Sequence, residues 1–498
     1  MKSALLALLL AITAFLPASA EPPLYAVKKT PVANFSWIDE IRKDVPALKN
    51  ERGDILPMIL WDPDHGANDL QPPEYYKDLL ARGLTEHIHM DERMLPIAQA
   101  LQKAGSPIIM MEGVGGAWPA SLAGDPKDWA HQFDAGFTPK EPVHACPALL
   151  TGWAINARHI RATLQKYKDA GIKVDAVWMD WEGDPIGGSE RYEQALHCER
   201  CRETLPPGVL ASKTSFGDYC WRRYMDLGGA YLAAPVLEIF PDCSVTNWRV
   251  TDSTPARPVR NWEDVPYGAV VPPYFTASNP VAYGNTVSWS LWKPAFKLDR
   301  EHVDQFYTYL LLNETSDDAA NRLAWTPERK AVPWVCRWCP DNPDPKIPIM
   351  SRERYREVLR HLWLRGIDGM QIFNPKRDGF EDIAVAEVQD AVAVYDEMLP
   401  YRDFIDHGTP ICLDLPKMQD TGVLWSGLRL GDRAIVRTFK QGGGSAMVTI
   451  EPWPGKKITL KATSQGETRE LVLKGASVQV VENLNAEAQS TQRFTEGY

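Results

Sequence analysis

The stretch VWMDWEGDP, residues 177–185, sets two carboxylates, Asp180 and Glu182, two positions apart in a run that is otherwise bulky and apolar. Side chains alternate along an extended chain, so Trp178, Asp180 and Glu182 share one face while Val177, Met179 and Trp181 take the other. Alpha carbons two apart in a strand lie ~6.6 Å from each other, which brings the carboxyl groups within hydrogen-bonding reach. Two acids so close do not both ionise in a poorly solvated pocket, and one keeps its proton at neutral pH. A held proton is what a general acid needs at the leaving oxygen of a glycosidic bond. A structural salt bridge or a pair of metal ligands is the competing use of the same two residues.

Such a pair has to be carried to the end of a strand, and the surrounding chain supplies the strands. From about residue 53 to 400, short apolar runs alternate with amphipathic stretches, the pattern of β/α units around a parallel sheet. The runs that read as strands are 55–61, 106–112, 174–182, 236–240 or the following 243–248, 269–275, 331–338 and 369–374. Helices are expected at 155–171 and 352–366, each closing on a glycine. Seven or eight such strands predict a (β/α)8 TIM barrel, since WDPDHG after the first strand is not the Gly-rich phosphate turn of an open doubly wound sheet. In a barrel the chemistry sits at the C-terminal strand ends, where Glu182 falls.

Other residues would face the same mouth. Asp62 and Glu112 end their strands and suit sugar hydroxyls, Asp62 having an equal use as a helix N-cap. Trp178, Trp334 and Trp338 suit stacking on a sugar or ordinary packing. His87 and His89 have metal-like spacing on a strand, without a third ligand nearby in sequence.

After about residue 405 the texture changes to short alternating runs joined by GD, GGG, PG and QGE, which predicts a C-terminal antiparallel β domain. The expected organisation is a signal peptide at 1–20, a barrel at 21–404, a β-sandwich-like domain at 405–483 and a disordered tail at 484–498. The β domain reads as a packing appendage, with a sugar-binding module as the alternative. Lys2, the apolar ALLALLLAITAFL and the small residues PASA form an export signal, so the expected location is secreted or periplasmic. No later run reaches membrane-spanning length, and a net charge of −11 argues against nucleic acid or an anionic membrane as partner. Eight cysteines in an exported chain predict disulfides. The two C-x-x-C pairs, Cys198/Cys201 and Cys336/Cys339, also make up a tetrahedral zinc set.

The D-W-E strand end resembles the catalytic strand of chitinase-like and hyaluronidase-like glycoside hydrolases. The chitinase pattern has acids seven, four and two positions ahead of its catalytic Glu, and here those positions are Asp175, Trp178 and Asp180. The hyaluronidase-like pattern lacks the middle acid as well. Its later landmarks are similar to GGAYLAAPVLEIFPDC, ending at Cys243, and to YREVLRHLWLRGIDGMQIFN. Where that family carries a tryptophan at the sugar floor, this chain offers Gln371, Phe373 or Asn374. The resemblance implies substrate-assisted retaining cleavage of an amino-sugar polysaccharide or oligosaccharide. Glu182 would then be acid and base, Asp180 would steady the acetamido group, and Tyr274 would bond its oxygen. No cofactor is implied. Two other readings stay open: a hydrolase of non-acetylated glycans that uses a third carboxylate, Asp62 or Glu112, and a non-catalytic carbohydrate-binding barrel.

Overall fold

The computed structural model describes residues 37–61, 70–111, 150–179, 192–259, 268–284, 286–338, 344–373 and 379–481. The chain folds as a mixed α/β unit followed by an antiparallel β unit. The first holds short parallel strands: β1 (Met58–Leu60), β2 (Leu84–Glu86), β3 (Ile88–His89), β4 (Ile109–Met111), β5 (Ala176–Met179), β6 (Ser244–Asn247), β7 (Ala277–Ser278), β8 (Val281–Tyr283), β9 (Lys330–Ala331), β10 (Trp334–Cys336) and β11 (Gln371–Ile372). They hydrogen-bond in the orders β2-β1-β11-β10-β8, β3-β4-β5-β6 and β7-β9, every pair parallel. One residue, His87, separates β2 from β3, and the Thr276 amide donates to the Val245 carbonyl (3.0 Å) just ahead of β7.

Helices alternate with these strands. Thr151–Asp169 ends before Gly171 (φ 71°) and Arg352–Trp363 before Gly366 (φ 82°), the left-handed positions at which a side chain would be strained. Arg352–Trp363 starts where the Ser351 hydroxyl accepts the Arg354 amide (3.2 Å). One open choice is decided and one expected strand is corrected. Residues 236–239 lie in the helix Ala234–Ile239, and the strand is the second alternative, the following run, which forms β6. The segment 269–275 forms no ladder beyond the single bridge Ser253–Val270, because Pro272 and Pro273 have no amide to donate; β7 and β8 follow it instead.

The long helix Val303–Trp325 buries Asn313 to Asp318, Asn321 and Arg322, an unusual load of polar groups. It pairs them with the chain beyond β6. Glu314 meets Arg249 (2.5 Å), and Asp318 accepts the Asp252 amide (3.0 Å), the Ser278 hydroxyl (2.7 Å) and Arg322 (2.8 Å). Asp252 pairs in turn with Arg329. Buried charges persist only when partnered in this way.

The expected C-terminal antiparallel sheet is present. Strands β12 (Thr409–Pro410), β13 (Val423–Leu430), β14 (Arg433–Lys440), β17 (Glu467–Lys474) and β18 (Ser477–Val480) form one antiparallel sheet, and β15 (Ser445–Trp453) with β16 (Lys456–Thr463) form a second pair. On β14, Ile435 and Phe439 join the main core while Ala434 and Val436 pack with Ile450, Trp453 and Leu460 of the hairpin. No helix among the described residues is long and apolar enough to cross a membrane.

Candidate functional site

Strand alternation sorts the parallel strands into two faces. Val177 and Met179 of β5 join the large helix-covered core, whereas Ala176 and Trp178 pack with Ile59, Ile109 and Val332 in a small separate cluster. In this cluster Ile59 of β1 and Val332 meet Ile109 of β4 and Ala176 and Trp178 of β5. Two places beyond Ile59 of β1 stands Trp61, and two beyond Val281 of β8 and Gln371 of β11 stand Tyr283 and Phe373, at the C-terminal ends of these strands.

The rim that they form is aromatic. Trp61 follows β1 and stacks on His87 (centroids 5.2 Å, 29° between planes), with its edge on Trp334 (4.8 Å) and Phe373 at 5.9 Å. Tyr283 ends β8 and stacks on Phe373 (5.0 Å, 16°). The register places Trp334 opposite both Val281 and Gln371, and Gln371 opposite Ile59, so the floor of the rim is continuous. In that floor Gln371 Oε1 accepts from Asn279 Nδ2 (3.4 Å), which also donates to the Val332 carbonyl (2.5 Å).

His87 is buried with Nδ1 3.1 Å from the Leu60 carbonyl, which accepts only, so Nδ1 carries the proton and Nε2 is the acceptor. Burial, with His89 as a second cause, pushes its pKa down to about 4. A neutral imidazole among aromatic rings suits a hydroxyl-rich uncharged ligand. His89, exposed, lies 6.2 Å from the His87 ring. Among the described residues no group of three or more His, Cys, Asp or Glu is placed to hold a metal.

The expected site residues divide into three sets. Asp180, Glu182, Asp62, Glu112, Asn374 and Cys339 lie outside the described residues. Trp178, Trp334 and Gln371 lie on the inner face as expected, but all are buried beneath the rim, with Trp61 and Phe373 packed on Trp334. Tyr274 and Trp338 need correction as substrate contacts. Tyr274 is exposed in left-handed backbone (φ 63°) ahead of β7, at the N-terminal end of the strands and so away from the rim. Trp338 is closed off from solvent, stacked on Phe380 (5.3 Å, 15°), with its indole N–H donating to Glu387 (3.0 Å).

Of the eight cysteines, Cys146 and Cys339 lie outside the described residues. No disulfide joins any two of the described cysteines. Cys198 and Cys201 sit at the start of one helix, Cys220 is within another, and Cys243, Cys336 and Cys412 lie beside or within different strands, so the fold keeps most of them on separate elements. Burial pushes the Cys243 thiol up to about 12. The proposed four-thiol zinc set includes Cys339, outside the described residues.

Trp338 leads to a testable property of the fold. Burial raises the Glu387 pKa from 4.5 to about 7, against bonds donated by the Arg337 amide and Trp338. Between those values the unfolded chain has released this proton and the folded chain holds it, so stability falls as pH rises through the window. Buried Glu86, bonded by Tyr75 (2.9 Å) and also raised to about 7, adds the same sign. Glu387→Gln is expected to flatten part of that slope in thermal melts taken across the window. A slope equal to the wild type's would show that Glu387 is already ionised in the folded protein.

Trp61 and Tyr283 are not among the residues singled out from the sequence. Trp61 was readable as the inward residue after Ile59, whereas Tyr283 was hidden because Asn279-Pro280 interrupts the apolar run.

No protein-family model matches the chain, and no curated protein matches it in sequence. Solved structures similar to it include the following three. A debranching enzyme from Nostoc punctiforme is 9% identical with a TM-score of 0.41, covering 86% of this chain and 100% of that one. An alpha-amylase from Lactobacillus plantarum is 9% identical with a TM-score of 0.42, covering 87% and 100%. Alpha-L-fucosidase isoenzyme 2 from Paenibacillus thiaminolyticus is 10% identical with a TM-score of 0.40, covering 70% of this chain and 50% of that one, so the chain spans half of that enzyme's length. At TM-scores below 0.5 these likenesses transfer neither fold nor activity, and the functional reading is built on the chain's own residues.

Proposed function

We propose that this protein is a glycoside hydrolase that receives a glycan on the aromatic rim and cleaves it with Glu182 as general acid and base, Asp180 acting beside it. The observation that carries the reading is the ring cluster at the ends of β1, β8 and β11, where Trp61 stacks on His87 and packs on Phe373, and Phe373 stacks on Tyr283. Asp180 and Glu182 lie outside the described residues, and it is the alternation of the sequence that gives them the face of Trp178. Aromatic rings with a few fixed polar groups are what a sugar site requires.

The parallel strands are read as one (β/α)8 barrel. Support comes from the β1–β11 pairing, from the near-continuity of β2 with β3, and from the Thr276–Val245 bond that links β6 to the chain entering β7. The route that suits the acid pair is substrate-assisted retention on an N-acetylhexosamine. Glu182 gives its proton to the leaving oxygen as the C1–O bond breaks and the acetamido oxygen bonds to C1. Water then attacks C1, its proton returns to Glu182, and the C1–acetamido bond breaks. Asp180 stabilises the acetamido nitrogen while it carries positive charge. Asp62 and Glu112 are assigned to sugar hydroxyls.

Residues 1–20 are assigned to export, and the protein to the outside of the cytoplasm. The C-terminal sheet is a packing appendage, a role supported by the buried Arg437–Glu357 pair that joins it to the helix Arg352–Trp363.

The test is a product screen of the purified protein against neutral and acetamido polysaccharides, with the anomeric configuration of products followed by NMR. Products with retained configuration from acetamido glycans, and inhibition by an oxazoline-mimicking thiazoline, are expected, since such a compound resembles the bound intermediate. Cleavage of non-acetylated glycans without thiazoline inhibition would transfer the nucleophile to a third carboxylate. No cleavage anywhere on the panel would refute the reading.

A further inference from the structure

The end of β6 lies beside that of β5. Its residues Ser244 and Thr246 lie opposite Ala176 and Trp178 on the inner face, and Trp248 is next on that face. The Trp248 amide donates to the carbonyl of Met179 (2.8 Å), the residue immediately before Asp180 in the chain. Trp178 and Thr246 below it are buried, whereas Trp248 is half-buried and reaches solvent at the rim.

The backbone turns sharply here. Asn247 Nδ2 donates to the Trp248 carbonyl (3.0 Å) and the Val250 amide to the Asn247 carbonyl (3.0 Å). Arg249 adopts left-handed backbone (φ 57°), a conformation that costs energy for any residue with a side chain and persists where the surroundings impose it. The imposing contacts are visible. The buried Arg249 guanidinium meets Glu314 at 2.5 Å and 3.4 Å and lies 5.3 Å from the centre of the Trp248 ring. Glu314, buried in the helix Val303–Trp325, is itself held by the Val281 amide (3.1 Å). A salt bridge serving only to tie that helix to the chain after β6 would need neither the left-handed turn nor an indole beside the cation.

We propose that Trp248 contacts the glycan at this rim and that Arg249, fixed by Glu314, is the residue that positions it; the proposal rests on the glycan-cleaving reading above. Arg249 is too deeply buried to touch substrate. Trp248 supplies binding area present equally in ground and transition states, so its loss acts on KM.

The experiment is steady-state kinetics of the full chain on whichever glycan the panel shows to be cleaved, with circular dichroism of each variant. Trp248→Ala is expected to raise KM about tenfold with kcat within about threefold, the size of one lost aromatic contact. Trp248→Phe should recover most of that loss. Arg249→Lys, or Glu314→Gln if the lysine variant does not fold, should raise KM in the wild-type background and add nothing to Trp248→Ala, because a positioning residue has no effect once its client is gone. A folded Trp248→Ala variant with KM within about twofold of wild type would overturn the proposal while leaving the hydrolase reading intact. Independent, additive effects of the two positions would overturn the positioning role of Arg249. A wild type inert on the whole panel would sink this inference together with the reading it rests on.

Discussion

Glu182→Gln is expected to lower turnover on an unactivated glycan by ~10²-fold or more, the usual range for a lost general acid. The amide keeps the side chain's shape but has no carboxyl proton to give to the leaving oxygen. Substrates with good leaving groups, which need little protonation, should lose much less, and that contrast separates lost acid catalysis from a damaged fold. Asp180→Asn should slow acetamido substrates most, because its work is to stabilise charge that develops only on that group. Circular dichroism on both variants checks that the fold survives. A folded Glu182→Gln protein with near-wild-type turnover would show that the paired acids are structural.

The second large effect concerns stability. Arg437 of β14 donates to Glu357 through two nitrogens (2.7 and 2.5 Å), with both side chains buried. Around them, His361 bonds the Ser426 hydroxyl (2.9 Å), and Arg365 reaches Ser426 (2.9 Å), Ser316 (2.7 Å) and the Asp414 carbonyl (2.9 Å). Arg437→Met is expected to cost about 3–5 kcal/mol, because it leaves the buried Glu357 carboxylate without its two-nitrogen partner, with only Arg360 (3.4 Å) and His361 (3.2 Å) beside it. The cost should appear in denaturant unfolding, and the C-terminal sheet should become more sensitive to limited proteolysis. Burial alone would raise the Glu357 pKa, but the His361 imidazole 3.2 Å away and the Arg437 guanidinium outweigh it and hold the carboxyl below its ordinary range. Its stabilisation is therefore present above the unfolded-state value and lost as pH falls, so the variant should differ least from wild type in acid. A loss under about 1 kcal/mol at neutral pH would mean that water or a neighbouring cation replaces the arginine.

How much could be read ahead of the structure depended on how local each signal was. The strands from Val423 to Thr463 begin and end where their alternation and turn residues predict, since a tight turn and a period of two are set within a few residues. The helix ends before Gly171 and Gly366 were legible for the same reason. The face on which Trp178 sits followed from alternation alone. Depth did not. Trp334 and Gln371 share the inner face but sit below the rim because Trp61 and Phe373, from other strands, cover them. Trp338 had the composition of a sugar platform until the fold brought Phe380 and Glu387 against it. Tyr274 was assigned to a strand end that two prolines prevent, and the strand that follows puts it at the opposite end of the sheet. By itself the sequence determined which residues pair with which face, because that is fixed by neighbours along the chain. Only the tertiary structure decided which of those faces meet and how far each side chain lies from solvent, because burial is set by residues that are distant in sequence.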